Sequence, residues 1–143
     1  MRIGKLLDSK GHVVVTIQPD ATVWEVLAQL NEYGVGALVV SRDGSHPDGI
    51  VSERDIVRQL HAHGAPVLDG PVSDLMVREV LTAGPDDEVE SLMSVMTTNR
   101  IRHVPVVSDG SLVGIVSIGD VVKQRVDSLQ EDNRALHDYI NAR

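Results

Sequence analysis

Two short segments of this chain place a hydroxyl and a carboxylate one helical turn apart: Ser52-Glu53-Arg54-Asp55 and Ser117-Ile118-Gly119-Asp120. Each follows a β-branched run, Gly49-Ile50-Val51 or Gly114-Ile115-Val116, so each stands where a buried strand becomes a helix. A serine at the N-cap with an acid at N3 is first of all a helix start, worth ~1 kcal/mol without any ligand. The same atoms suit binding, because the carboxylate accepts from two adjacent sugar hydroxyls while the serine hydroxyl and the helix amino end face phosphate. A basic pair, Arg102-His103, stands before Val104-Pro105. Arginine's planar donors engage two phosphate oxygens at once, although a lone surface pair is ordinarily just solvated.

Other chemistry is poorly represented. The chain has no cysteine, hence no thiolate nucleophile, disulfide or sulfur-rich zinc site. His61-x-His63 falls at a helix end before Gly64 with no third ligand in view, so no metal site is assigned. No serine has a partnered histidine, and neither a G-x-x-x-x-G-K-[ST] loop nor a G-x-G-x-x-G turn occurs. No catalytic residues are assigned, and an enzyme is not expected. The net charge of -8 over 143 residues disfavours nucleic acid. No apolar run approaches the ~18 residues that span a bilayer, so the expected setting is the cytoplasm, away from membranes. With 42% hydrophobic but only 2% aromatic residues, the core must be aliphatic, which suits strands covered on both faces.

The elements that position these residues are written twice. Pro19 and Val23 are answered by Pro85 and Val89, 66 positions on. The helices that follow carry Val23, Val26, Leu27 and Leu30, then Val89, Leu92, Met93 and Met96, one apolar face at i, i+3, i+4, i+7. Each opens on a capping-box pattern, Thr22-x-x-Glu25 and Asp87-x-x-Glu90. Gly36-Ala37-Leu38-Val39-Val40-Ser41 then matches His103-Val104-Pro105-Val106-Val107-Ser108 at a displacement of 67, which implies one residue inserted between helix and strand. The second strands, Gly49 to Ser52 and Gly114 to Ser117, are displaced by 65. The first hairpin is longer by two residues and carries Ser45-His46-Pro47-Asp48. Lead-in segments correspond as well, Ile3, Leu6 and Leu7 with Val72, Leu75 and Met76. A half of about 65 residues buries too little surface alone, so the halves should pack as one body.

These paired strings resemble a tandem of cystathionine β-synthase (CBS) domains, a Bateman module. The resemblance rests on residues 35–40 with 49–55 and on residues 100–107 with 114–120, and it covers all but the last helix. It implies an α+β fold: two β-α-β-β-α repeats packed sheet to sheet with pseudo-twofold symmetry, plus a C-terminal helix. The expected divisions are 1–64 for the first repeat with its N-terminal helix, 65–71 for a linker, 72–126 for the second repeat and 127–143 for an extension of the last helix. The resemblance also implies adenosine ligands in clefts between the halves: AMP or ATP first, with ADP, NAD(H) or S-adenosylmethionine sharing the same adenosine. Carried over residue by residue, it groups Ser52 and Asp55 with Arg102 and His103 in one cleft. Ser117 and Asp120 fall with Val35 and Gly36 in the other, which lacks a matching cation, so unequal sites are expected. Thr16 and Thr82, at the ends of Val13-Val14-Val15 and Val80-Leu81, are secondary candidates near adenine. The implied role is a regulatory sensor acting on a separate, unidentified protein. The competing reading is a ligand-independent scaffold for dimerisation and docking.

The tail carries its own signal. Val122, Val126, Leu129, Asn133, Leu136 and Ile140 alternate spacings of four and three, a heptad seam with one polar member. Packing of this helix on its own core is one reading; pairing with a second copy, as a homodimer with the asparagine fixing register, is the other.

Overall fold

The computed structural model describes residues 1–142. Its elements, in chain order, are α1 (Ile3–Lys10), β1 (Thr16–Ile17), α2 (Val23–Tyr33), β2 (Ala37–Val40), β3 (Gly49–Ser52), α3 (Glu53–His63), two 3-10 turns (Ala65–Asp69 and Val72–Asp74), α4 (Val89–Asn99), β4 (His103–Ser108), β5 (Ser111–Ser117) and α5 (Ile118–Asn141). The first sheet has the order β1-β2-β3, with β1 parallel and β3 antiparallel to β2. The second is the antiparallel pair β4-β5. A third strand is reduced there to one parallel bridge, Ala83 to Val106. Val80-Leu81-Thr82, β-branched and apolar, forms no strand, and Val13 is 85% exposed. Only Thr16–Ile17 of that first apolar run is a strand.

The backbone register corrects the repeat alignment. Ala37 lies opposite Ser52 and His103 opposite Ser117. The displacement between the halves thus stays at 66 into the strand, and no residue is inserted before it. That displacement still holds at Val106, whose bridge to Ala83 answers the pairing of Val40 with Ile17, so the first hairpin is longer by one residue and not by two. The register shift between Val106 and Val107 skips Val113 of β5. An apolar run slid by one residue still faces an apolar run, so composition could not fix the alignment. Arg102-His103 accordingly corresponds to Gly36-Ala37, not to Val35-Gly36.

Helix starts are similarly informative. Thr22 and Glu25 form the expected reciprocal cap of α2. The Asp87-x-x-Glu90 box does not form: the N-cap of α4 is Glu88, and the Asp87 carboxylate turns back to accept the Gly84 N–H at 2.8 Å. The cap at displacement 66 from Thr22 is Glu88, one residue later than the pattern suggested.

The two cores cross the sequence boundary. Ile3, Leu6 and Leu7 of α1 are buried with Val89, Leu92, Met96, Val104, Val106 and Val116 of the second half. Val72, Leu75 and Met76 pack instead with Val23, Val26, Leu38, Val51 and Ile56 of the first. Equivalent hydrogen bonds dock the two lead-ins: Ile3 N–H to Asp87 O and Gly4 N–H to Pro85 O on one side, Val72 N–H to Ala21 O and Ser73 N–H to Pro19 O on the other. In space, then, α1 belongs with the second half, although along the chain it falls in residues 1–64. Glycines make room for the exchange. A Cβ on Gly114 would sit 2.6 Å from Leu7 Cδ2, and one on Gly49 would sit 2.5 Å from Met76 Sδ. The longer first hairpin also ties the halves together, with Ser45 O accepting the Leu112 N–H at 2.7 Å and Ser45 Oγ meeting Ser111 Oγ at 3.0 Å.

Candidate functional site

Ser52 caps α3 as its residue type and spacing require. Its Oγ accepts the Asp55 N–H, while the Ser52 N–H and Oγ–H both donate to Asp55 Oδ2 at 2.8 Å. Ser117 and Asp120 repeat the box at the start of α5. These caps hold each carboxylate at a strand-to-helix turn, beside the sheet edge.

The structure brings Ser52 and Asp55 of the first half together with Arg102 and His103 of the second, in one cleft of about 400 Å³. Three further arginines line it. Arg54 and Arg58 flank Asp55 on α3, and Arg100 ends α4. Four arginines therefore stand against three carboxylates, Glu53, Asp55 and Glu79. This local cationic balance on a chain of charge -8 favours an anion. The apolar wall comes from Ile50, Val77, Val80, Leu81, Ile101 and Pro105. It offers a flat ring aliphatic contact without stacking.

Arg100 is the residue that sequence reasoning missed with the clearest signal. It occupies the left-handed C-terminal position of α4 (φ 54°, ψ 42°), where the first half has Gly34 (φ 62°, ψ 37°). A side chain in that conformation costs ~1–2 kcal/mol relative to glycine's freedom. Here the side chain that incurs the cost lines the cleft.

His103 is half-buried. Burial pushes its imidazole below the ordinary range, and the charges of Lys10 and Arg102 add to this while Glu53 and Asp120 oppose it. These effects favour the neutral imidazole, which accepts or donates according to its tautomer. Its ring lies against Gly36: a Cβ there would be 3.3 Å from His103 Cε1. Gly36, grouped by sequence with the second cleft, is thus a wall residue of the first. Val35 is exposed and does not line it. Neither does Thr82; Thr16 lines a separate shallow depression with Asp20 and Gln29.

The second turn is not without a cation. Lys10 Nζ, at the end of α1, donates to Asp120 Oδ2 and to the Ile115 carbonyl. Burial raises the Asp120 carboxyl, but hydrogen bonds from Lys10 and the Ser117 amide, with the lysine's charge, outweigh it and hold the group below the usual carboxylate range. In the first cleft the lining residue that follows the second lead-in is an acid, Glu79. No local pattern in the sequence points to this lysine, because α1 reaches Asp120 only through the crossed packing.

Removing the lysine has a directional consequence. The folded pKa of Asp120 is depressed, so the pair's contribution is complete above the unfolded value of ~3.9 and is lost as pH falls through the folded value. Lys10→Ala is expected to cost about 1 kcal/mol at neutral pH. In denaturant melts the gap from wild type should close below about pH 4. By NMR titration the Asp120 carboxyl should move up. A gap that persists undiminished in acid would show that Lys10 contributes through packing alone.

Among the described residues, no helix is long and apolar enough to cross a membrane, and no group of three or more His, Asp and Glu could hold a metal ion. A protein-family model described as "CBS domain" matches twice, at residues 11–62 and 72–127. The CBS domain-containing protein CBSX3, a mitochondrial protein of Arabidopsis thaliana, is 38% identical over 85% of this chain, which spans 61% of that relative's length. A solved CBS-domain protein of Agrobacterium tumefaciens is 42% identical, with a TM-score of 0.84 over 87% of this chain and 99% of its own. A CBS domain protein of Pyrobaculum aerophilum, solved in complex with AMP, is 35% identical with a TM-score of 0.75, covering 84% of this chain and 89% of that one.

Proposed function

Since this chain belongs to the CBS-domain family and carries the domain twice, we propose that it is a non-enzymatic regulatory module that binds an adenosine nucleotide between its halves and signals to a separate protein. The observation that carries this reading is the cleft in which Asp55 and Ser52 of one half face Arg102, His103 and Arg100 of the other. Asp55 would take the ribose hydroxyls, the arginines the phosphates, and the aliphatic wall the adenine. The Pyrobaculum relative with AMP bound supports the ligand class. The arginine excess favours AMP, ADP or ATP, and then NAD(H), over S-adenosylmethionine, whose sulfonium is itself a cation.

A ligand bridging the halves acts by its differential affinity for two arrangements of the sheets or of a dimer. The proposed assembly is a homodimer, and the proposed setting the cytoplasm; the Arabidopsis relative, by contrast, is named a mitochondrial protein.

One observation favours the scaffold reading: Asp55 Oδ2 already accepts two hydrogen bonds within the chain, so the carboxylate has a structural task without ligand. Thermal melts with AMP, ADP and ATP separate the two. A nucleotide at 100 times its dissociation constant should add ~2.7 kcal/mol of stability. Melting unaffected by any of them at millimolar concentration would leave the scaffold.

A further inference from the structure

Helix α5 runs to Asn141, yet Val121, one turn from its start, is the only buried residue on it. Gln124 and Ser128 are still half-buried, but from Leu129 to Asn141 every residue is exposed, and about 20 Å of helix projects from the module. Along one line of the helix stand Val122 (50% exposed), Val126 (46%), Leu129 (51%), Leu136 (58%) and Ile140 (59%), with Asn133 exposed among them. An isolated helix of this length is marginal in water, and an uncovered seam makes it more so.

The order of residue types says what covers it. In heptad terms the a positions are Val126, Asn133 and Ile140, and the d positions are Val122, Leu129 and Leu136. β-Branched residues and a single asparagine at a, with leucine at two of the three d positions, fit a parallel two-stranded coil. Antiparallel helices set a against d, which would bury the Asn133 amide against leucine with no partner, at a cost of ~1–3 kcal/mol. In a parallel pair in register the two asparagines meet and bond each other. The flanks agree: g-to-e′ neighbours are Arg125 with Gln130 and Asp132 with His137 of the second copy, and neither pair sets like charges together.

We propose that α5 pairs in parallel and in register with α5 of a second copy of this chain, holding both modules at the same end of a two-stranded coil. This rests on the homodimer proposed above but not on nucleotide binding. Because Ser117 and Asp120 form the first turn of this same helix, the Lys10 contact and the dimer seam lie on one rigid element.

The chain has no cysteine, so one introduced thiol reports on geometry. Light scattering of the full chain at tens of micromolar should give a dimer, and Leu129→Asp with Leu136→Asp should give a monomer whose module melts as before. Under mild oxidation Leu129→Cys should convert to a covalent dimer, because a parallel register brings its Cα within the 4.4–6.8 Å range of disulfides. Glu131→Cys, on the outer face, should not. Leu136→Cys repeats the test one heptad on. A monomeric wild type would overturn both the homodimer and the coil. A wild-type dimer in which neither Leu129→Cys nor Leu136→Cys cross-links would overturn the parallel pairing while leaving the homodimer standing.

Discussion

Asp55→Ala is expected to weaken AMP or ATP binding by about 100-fold or more in calorimetric titration. The carboxylate would accept two hydrogen bonds from the ribose, and bonds to a charged group contribute about 1.5–3 kcal/mol each. Losing two is ~3–6 kcal/mol, at a tenfold change per 1.4 kcal/mol. The same substitution removes half of the α3 cap, costing ~1 kcal/mol of fold stability. Asp55→Asn separates these effects, because it keeps an acceptor for the cap but removes the charge that holds the diol. It should melt near wild type and still bind poorly. Asp120→Ala should have the smaller effect on nucleotide, because Lys10 already occupies that carboxylate. Equal losses for Asp55→Ala and Asp120→Ala would end the idea of unequal sites. The inequality rests on Lys10 in one cleft and the arginine group in the other, and not on an absence of cations.

Leu7→Ala is expected to destabilise the chain by about 2–5 kcal/mol, the range for emptying a fully buried leucine. Leu7 is inaccessible to solvent and belongs to the core of the second half. Gly114→Ala alone should cost about 1–3 kcal/mol, since its Cβ would fall 2.6 Å and 2.7 Å from the two Leu7 methyls. Combined, the two changes should cost less than their sum by at least ~0.5 kcal/mol, as the new methyl fills part of the space that Leu7 leaves. Strictly additive costs in denaturant melts would mean that α1 does not pack on β5. The double variant thus reads the exchange of lead-ins directly.

Much of the site was legible because it is local. Ser52 with Asp55 and Ser117 with Asp120 act within one helical turn, so residue type and spacing suffice to place them. The pairing of Asp55 with Arg102 came from a family likeness, and the cleft brings the two together. Arg54 and Arg58 were equally local, on the same turns of α3 as Asp55, and could have been read there. Arg100 could have been found by asking why a left-handed position holds glycine in one half and arginine in the other. The strand alignment could not, because Ala37-Leu38-Val39-Val40 and Val104-Pro105-Val106-Val107 match as apolar runs whether or not they are slid by one residue, and only the pairing of Val106 with Ala83 fixes the displacement.

What the sequence by itself determined is periodic or short in range: the two helical faces, the buried strands, the serine-capped turns and the heptad order of the tail. Each depends on contacts within a few residues, where spacing dictates geometry. The tertiary structure alone decided which core receives α1, that Lys10 reaches Asp120, and that Gly36 stands beside His103. Those contacts join residues about 65 to 110 positions apart. Two similar halves each offer an apolar surface with room left by a glycine, Gly49 or Gly114, so the local pattern does not say which lead-in docks where. The hydrogen bonds of Ile3 with Asp87 and of Val72 with Ala21 mark the crossed arrangement.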